Sequence, residues 1–224
     1  MPSILALRFW PPSTTAFIEA RKARLKAEGQ SDAIDRRPVP LSKVSPSLVR
    51  AVIAAEDARF RDHDGIDWLA VESARDYNRL HAKDRRRRVH GASTITQQLA
   101  KNLWLSGDRT WWRKAREAAI ALVMERFLTK EMILEHYLSA IEWGERTYGC
   151  EAAARSVFGA SAAWLTPEQA ATLAAMIPSP RWYRAHPDAL QRRAALIARR
   201  AASGVPAPEV EDDDEALAVE SRQP

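Results

Sequence analysis

The sequence predicts an all-α domain, and three observations carry that expectation. Apolar residues recur at helical spacing along most of the chain, and several of these runs open on Ser or Thr, with proline or Glu/Gln where helix starts require them. Alternating apolar and polar runs, the mark of strands, are almost absent. The 224 residues, 46% of them apolar, suffice for one domain core, and no break in composition divides the chain into two large parts. The single cysteine, Cys150, excludes an internal disulfide framework and a cysteine-rich metal site; it reads as a small buried hydrophobe. A formal charge of +5 favours anionic partners, whether nucleic acid, acidic lipid headgroups or a diphosphate, and does not choose among them.

The start, MPSILALRFWPP, is too short and lacks the basic leader of a secretory signal, and no stretch reaches the roughly eighteen apolar residues that span a bilayer. Thr15 to Glu28 reads as a basic amphipathic helix, with Phe17, Ile18, Ala20 and Leu25 set against Arg21, Lys22, Arg24 and Lys26. That pattern suits a membrane surface and an ordinary surface helix equally. Gly29 to Val44, with Pro38 and Pro40, is a connector. A helix then starts at Ser45-Pro46, an N-cap followed by proline at the first helical position. Along it Leu48, Val52 and Glu56 share one stripe, so a carboxylate continues a line of core residues. Desolvation there raises its pKa toward what a general base needs; a capping or ion-paired carboxylate is the plainer alternative.

Asp67 to Val89 is mixed and ends in DRRRRV, where Arg85 to Arg88 read as a solvated loop or a nucleic-acid contact. From Thr110, a plausible N-cap, the pattern is helical through about Phe127. Glu117 shares a face with Ile120, Ala121, Met124 and Leu128, and Arg113 lies one turn before it. An acid beside a cation keeps a low pKa, so Glu56 and Glu117 are expected to be tuned apart. Thr129 caps a helix from Lys130 to Glu142 with Gly144 beyond its end, and Thr166-Pro167-Glu168-Gln169 is a capping box for an alanine-rich helix that stops before Pro178. Asp188 to Ala202 is a last helix, closed by Gly204; residues 205–224, with Glu211 to Glu215 all acidic, form a disordered tail.

One stretch is chemically unusual. Gly91 to Asn102, GASTITQQLAKN, packs Ser93, Thr94, Thr96, Gln97, Gln98, Lys101 and Asn102 into twelve residues, many donors and one positive charge suited to a phosphate or pyrophosphate. An N-cap followed by a solvated Gln pair is the plainer reading of the segment alone. Its flanks are EDARFRDHDG, Glu56 to Gly65, and DRTWWRKAREAA, Asp108 to Ala119. KEMILEHYLSAIEWG, Lys130 to Gly144, and YGCEAAARSVFG, Tyr148 to Gly159, follow. In this order and spacing, from about Pro40 to Pro187, the five segments resemble those of the monofunctional biosynthetic peptidoglycan transglycosylases, peptidoglycan glycosyltransferases that polymerise lipid II.

The resemblance implies a lysozyme-like helical glycosyltransferase domain over residues 45–204, with a small jaw at about 67–90 near the membrane and a membrane-proximal segment over 1–44. It puts the base, which deprotonates the 4-hydroxyl of the acceptor lipid II, on Glu56, and on Glu117 the acid that helps orient the diphosphate. Ser93, Gln98, Lys101, Arg109 and Arg113, with Lys114 close by, become the phosphate contacts, and Asp57, Phe60 and His63 shape the first segment. A divalent cation, Mg or Mn, is compatible with Glu117 but not required by the sequence. The partners implied are lipid II, the growing lipid-linked strand, the membrane and cell-wall or divisome proteins, with no nucleic acid; Arg85 to Arg88 would face lipid headgroups. The implied location is the periplasmic face of the inner membrane, with an anchor that family members carry expected upstream of the residues given.

Two positions depart from the family pattern: Ser139 stands where YLN is usual, and Val157-Phe158 where an aromatic pair is usual. No Ser has a Lys three residues on, so no peptide cross-linking is expected. Two competing classes remain: a hydrolase or lytic enzyme using two carboxylates on the same fold, and a nucleic-acid or membrane-binding module built on Arg85 to Arg88.

Overall fold

The computed structural model describes residues 2–82, 91–105 and 110–203, so Arg85 to Arg88, Arg109 and the acidic tail lie outside the described residues. The helices are α1 (Ala16–Ala27), α2 (Pro46–Glu56), α3 (Trp68–Leu80), α4 (Ile95–Trp104), α5 (Trp111–Phe127), α6 (Lys130–Ala140), α7 (Cys150–Phe158), α8 (Pro167–Met176), α9 (Pro180–Ala185) and α10 (Pro187–Ser203). Most begin where side chains satisfy the free N–H groups of the first turn. Thr15, Ser45, Asp67, Thr94, Thr110, Thr129 and Thr166 each accept from a backbone N–H three residues on, and Thr94 and Thr166 complete reciprocal boxes with Gln97 and Gln169.

The helices form two groups. In one, α2, α8 and α10 pack together, and buried Ala170, Ala171, Ala174 and Ala175 allow α8 to approach its neighbours closely. In the other, α4 lies between α5 and α6. Its Ile95, Leu99, Ala100 and Leu103 are fully buried and join Leu48, Val52, Ile133, Leu134 and Tyr137 in one core. The candidate site lies where the end of α2 meets α4.

Two expectations are corrected. The helix begun at Lys130 stops at Ala140, because Glu142–Gly144 (β2) turns back antiparallel onto Thr147–Tyr148 (β3). The expected connector contributes Asp35–Arg36 (β1), which pairs parallel with β3. These strands are too short for a period-two pattern to show, and ladder pairing with distant residues outweighs local propensity. Gly149 follows at φ +83°, where an added Cβ would lie 3.1 Å from the Ser139 carbonyl oxygen.

The N-terminal segment is tied to the domain. Leu7 is in the core, and its carbonyl accepts from His136 Nε2 at 2.7 Å; the Trp104 indole donates to the Pro2 carbonyl. Arg36 donates to the carbonyls of Pro12, Ser13 and Ser139, and the mostly buried Arg21 of α1 pairs with Glu145 at 2.6 Å. Among the described residues no helix is long and apolar enough to cross a membrane.

Candidate active site

The apolar stripe of α2 delivers Glu56 to the junction of the two helix groups. Leu48 and Val52 are fully buried, and Glu56, at the C-terminal end of the helix, is half-buried. The Gln98 side-chain amide donates to Glu56 Oε2 at 2.9 Å, while its Oε1 accepts from the Tyr137 hydroxyl at 3.0 Å. A buried phenol therefore decides which end of the amide meets the acid. Burial pushes the Glu56 carboxyl above its usual range, opposed by the Gln98 hydrogen bond and the charges of Arg193 and Lys101. The same burial, with Glu56 and Asp57 nearby, pushes the Tyr137 phenol well above its ordinary value, so it remains a donor.

The next residue fastens this end of α2 to the start of α4. Asp57 Oδ2 accepts the Ile95 N–H at 2.9 Å, and Oδ1 accepts from His63 Nε2 at 3.0 Å. His63 Nδ1 accepts the Gly65 N–H, which leaves the ring proton on Nε2, facing Asp57. Thr94 donates to the Gly65 carbonyl at 2.7 Å. Gly65 has φ +92°, and an added Cβ would sit 3.1 Å from the Ala121 carbonyl oxygen and from Glu125 Cγ, so the loop rests directly on α5. Beneath it Glu125 pairs with Lys130 at 2.8 Å and accepts from Thr96; Lys130 also donates to the His63 carbonyl and lies over the Phe60 ring. Asp57, His63 and Asp67 bring metal-type ligand atoms within 4.8 Å of one another. Each is committed elsewhere: Asp57 and His63 as above, Asp67 to the Ala70 N–H and Arg59. The three are a structural staple.

Across the site α5 presents Arg113, Lys114 and Glu117 on one face. Glu117 is 2% exposed and clamped through both oxygens, by Arg113 and by Lys114 at 2.5 Å. Lys114 Nζ also donates to the Ser93 hydroxyl at 2.7 Å. Lys101, on α4, lies 5.7 Å from the centre of the Phe17 ring, a contact supplied by α1. Burial lowers its pKa; Glu117 and Glu56 act to raise it, Arg113 and Lys114 to lower it, so Lys101 feels both acids.

Of the residues singled out in the sequence, Ser93, Lys101, Arg113, Lys114 and Glu117 thus form one cationic cluster. Gln98, expected as a phosphate contact, lies beside them on α4 with its side-chain amide on Glu56. Sequence reasoning missed Tyr137, Glu125, Lys130 and Arg193. Tyr137 and Lys130 were in view within the fourth segment, but nothing local marks a tyrosine or a lysine that acts on another helix. Neither departure alters the acids: the Ser139 carbonyl takes Arg36, and Val157 and Phe158 pack against the core.

The helical domain thus holds one desolvated acid, Glu56, and one acid clamped between cations, Glu117. A family model described as Transglycosylase matches residues 22–202, and the chain belongs to that family of enzymes. Among its relatives is the biosynthetic peptidoglycan transglycosylase of Nitrosospira multiformis, 44% identical over 206 residues, which cover 91% of this chain and 88% of that protein. Proteins of the same name from Chromobacterium violaceum and Thiobacillus denitrificans are 46% and 47% identical, covering 85% and 84% of this chain and 83% and 80% of theirs.

Proposed function

We propose that the chain is a peptidoglycan glycosyltransferase of cell-wall synthesis that polymerises lipid II. The observation that carries this reading is the contrast between the two acids: Glu56 is desolvated and held by neutral Gln98, whereas Glu117 is buried between Arg113 and Lys114, near Lys101. Glu56 takes the proton of the acceptor 4-hydroxyl as its oxygen attacks C1 of the lipid-linked donor. The bond from C1 to the phosphate oxygen breaks, and its electron pair leaves with undecaprenyl diphosphate. Lys101, Arg113 and Lys114 neutralise the charge that grows on the diphosphate, and Ser93 adds a hydroxyl donor. Glu117 holds its two cations in place before the diphosphate arrives. Because both its oxygens are already bonded, Glu117 is a poor ligand for a divalent ion, and no step is assigned to Mg or Mn.

The membrane location belongs to the same reading. Phe9, Trp10, Trp68, Leu69, Trp111 and Trp112 are all more than half exposed, and α3 buries none of its side chains. Large apolar groups in water at the jaw and at the start of α5 suit a lipid surface and a polyprenyl substrate on the periplasmic face of the inner membrane. The absence of any SxxK pattern supports a reaction without transpeptidation.

The test is polymerisation of labelled lipid II by the purified protein in detergent, with and without the phosphoglycolipid moenomycin and with Glu56→Gln as control. Moenomycin-sensitive polymer that Glu56→Gln fails to make is the expected result. Cleavage of preformed glycan with no polymer would transfer the site to the hydrolases.

A further inference from the structure

We propose that Arg193, on the last helix of the domain, is a positioning residue for the base. It supplies the fixed positive charge that holds Glu56 in its ionised, proton-accepting form while Lys101 is engaged with the diphosphate. The inference rests on the proposed role of Glu56 and concerns a residue outside the five segments of the sequence.

Leu190, Arg193, Ala194 and Ile197 fall at i, i+3, i+4 and i+7 on α10, one face of the helix. Ala194 and Ile197 are in the core and Leu190 packs against it, so Arg193 belongs to the stripe that turns toward the helices α10 packs on, α2 and α8. A guanidinium on such a stripe needs a reason. The fold alone does not provide one, because Arg193 Nε is buried and finds no acceptor among the described residues. The helix face that carries it packs against α2, which ends at Glu56, and its charge acts to hold that carboxyl down.

The groups facing Glu56 can be enumerated. From α4 come the neutral Gln98 amide and the Lys101 ammonium; from α6, Tyr137 acts through Gln98; Asp57, next in the chain, is an opposing negative charge; from α10 comes Arg193. Among the described residues two of these groups are cations, and they are not equivalent. Burial lowers the pKa of Lys101, which also lies among Glu117, Arg113 and Lys114, the groups assigned to the diphosphate. A guanidinium keeps its charge throughout the working pH range. Arg193, outside that cluster, is therefore the cation that remains for the base when the donor is bound.

The sign of the effect follows. Glu56 is already pushed up by burial, and Arg193 acts to lower it. Loss of the guanidinium moves the carboxyl further up and reduces the ionised fraction at acid pH, without touching the alkaline side.

The experiment is the pH dependence of kcat on labelled lipid II for the wild type, Arg193→Gln and Arg193→Lys, with moenomycin binding as a check on the diphosphate side. Arg193→Gln is expected to lose roughly threefold or more of kcat at the acid end, the loss closing as pH rises. Arg193→Lys should restore the acid limb, and moenomycin binding should stay unchanged in both. A loss that is uniform across pH, or an unmoved limb, overturns the proposal. A substrate-free readout separates it from the functional reading: the Glu56 carboxyl, followed by carbon-13 NMR, should titrate higher in Arg193→Gln than in the wild type. If it titrates at the same pH, the proposal fails whether or not the wild type polymerises lipid II. Arg193→Met, neutral but similar in bulk, serves the same titration should Arg193→Gln fold poorly.

Discussion

Tyr137→Phe isolates the contact that aims the amide at Glu56. The ring is fully buried, and its hydroxyl makes one hydrogen bond among the described residues, to Gln98 Oε1 at 3.0 Å. Removing that oxygen leaves the ring in place and opens no large cavity. What is lost is the donor that fixes the Gln98 amide, leaving a part-buried acceptor unsatisfied at a cost of about 1–3 kcal/mol. The amide is then free to turn over, and in the turned state its Oε1 faces the Glu56 carboxylate in place of the N–H that now donates at 2.9 Å. Because that N–H bond acts to lower the Glu56 pKa, its weakening raises it, and the acid limb of kcat moves to higher pH. If the loss of ordering is worth about 1.4 kcal/mol, kcat falls about tenfold near the limb. Chemical denaturation measures the first term, and kcat against pH on lipid II the second. A variant with wild-type kcat at every pH would refute the role given to Tyr137, even if it were less stable.

Glu56→Gln should abolish turnover, a loss of about 100-fold or more, while moenomycin still binds. It should also be more stable than the wild type at neutral pH. A buried acid whose folded pKa is raised holds its proton more tightly when folded, so the wild type loses stability as pH climbs from the ordinary carboxylate range through the raised value. Glutamine carries no such term, and the difference should close on acidification; a gap independent of pH in denaturation curves would contradict this. Gly65→Ala should destabilise the domain by about 1–2 kcal/mol or more, since φ +92° is unfavourable for a side chain and the new Cβ would press on the α5 backbone at 3.1 Å. A thermal melt matching the wild type would show that the loop gives way. Trp111 and Trp112 are 90% and 83% exposed, so their joint replacement by alanine should alter stability by about 0.5 kcal/mol or less. It should weaken sedimentation with lipid vesicles several-fold; unchanged sedimentation would remove these side chains from the membrane surface.

Local chemistry accounts for what could be read in one dimension. The helix starts at Ser45-Pro46, Thr110, Thr129 and Thr166 are encoded within four residues, because a cap bonds to its own first turn. The burial of Glu56 and Glu117 followed from helical periodicity, and the pairing of Arg113 with Glu117 from a spacing of one turn; that Lys114 takes the other oxygen only the structure showed. The short strands escaped because Asp35–Arg36 and Thr147–Tyr148 pair across more than a hundred residues. The contacts of Gln98 were hidden for the same reason: its partners come from α2 and α6, and an amide that suits a phosphate suits a carboxylate equally well.

The chain's pattern of caps, apolar stripes and charged turns therefore determines which residues are helical and which acids are withdrawn from water, since these depend on neighbours within a turn or two. The use of those acids depends on packing. Gln98 meets Glu56 only because the group of α2, α8 and α10 abuts the group of α4, α5 and α6, and Asp57 ties one to the other by capping Ile95. Coulombic and hydrogen-bonding partners act through space over a few ångströms, and sequence separation carries no information about that distance once the chain has folded.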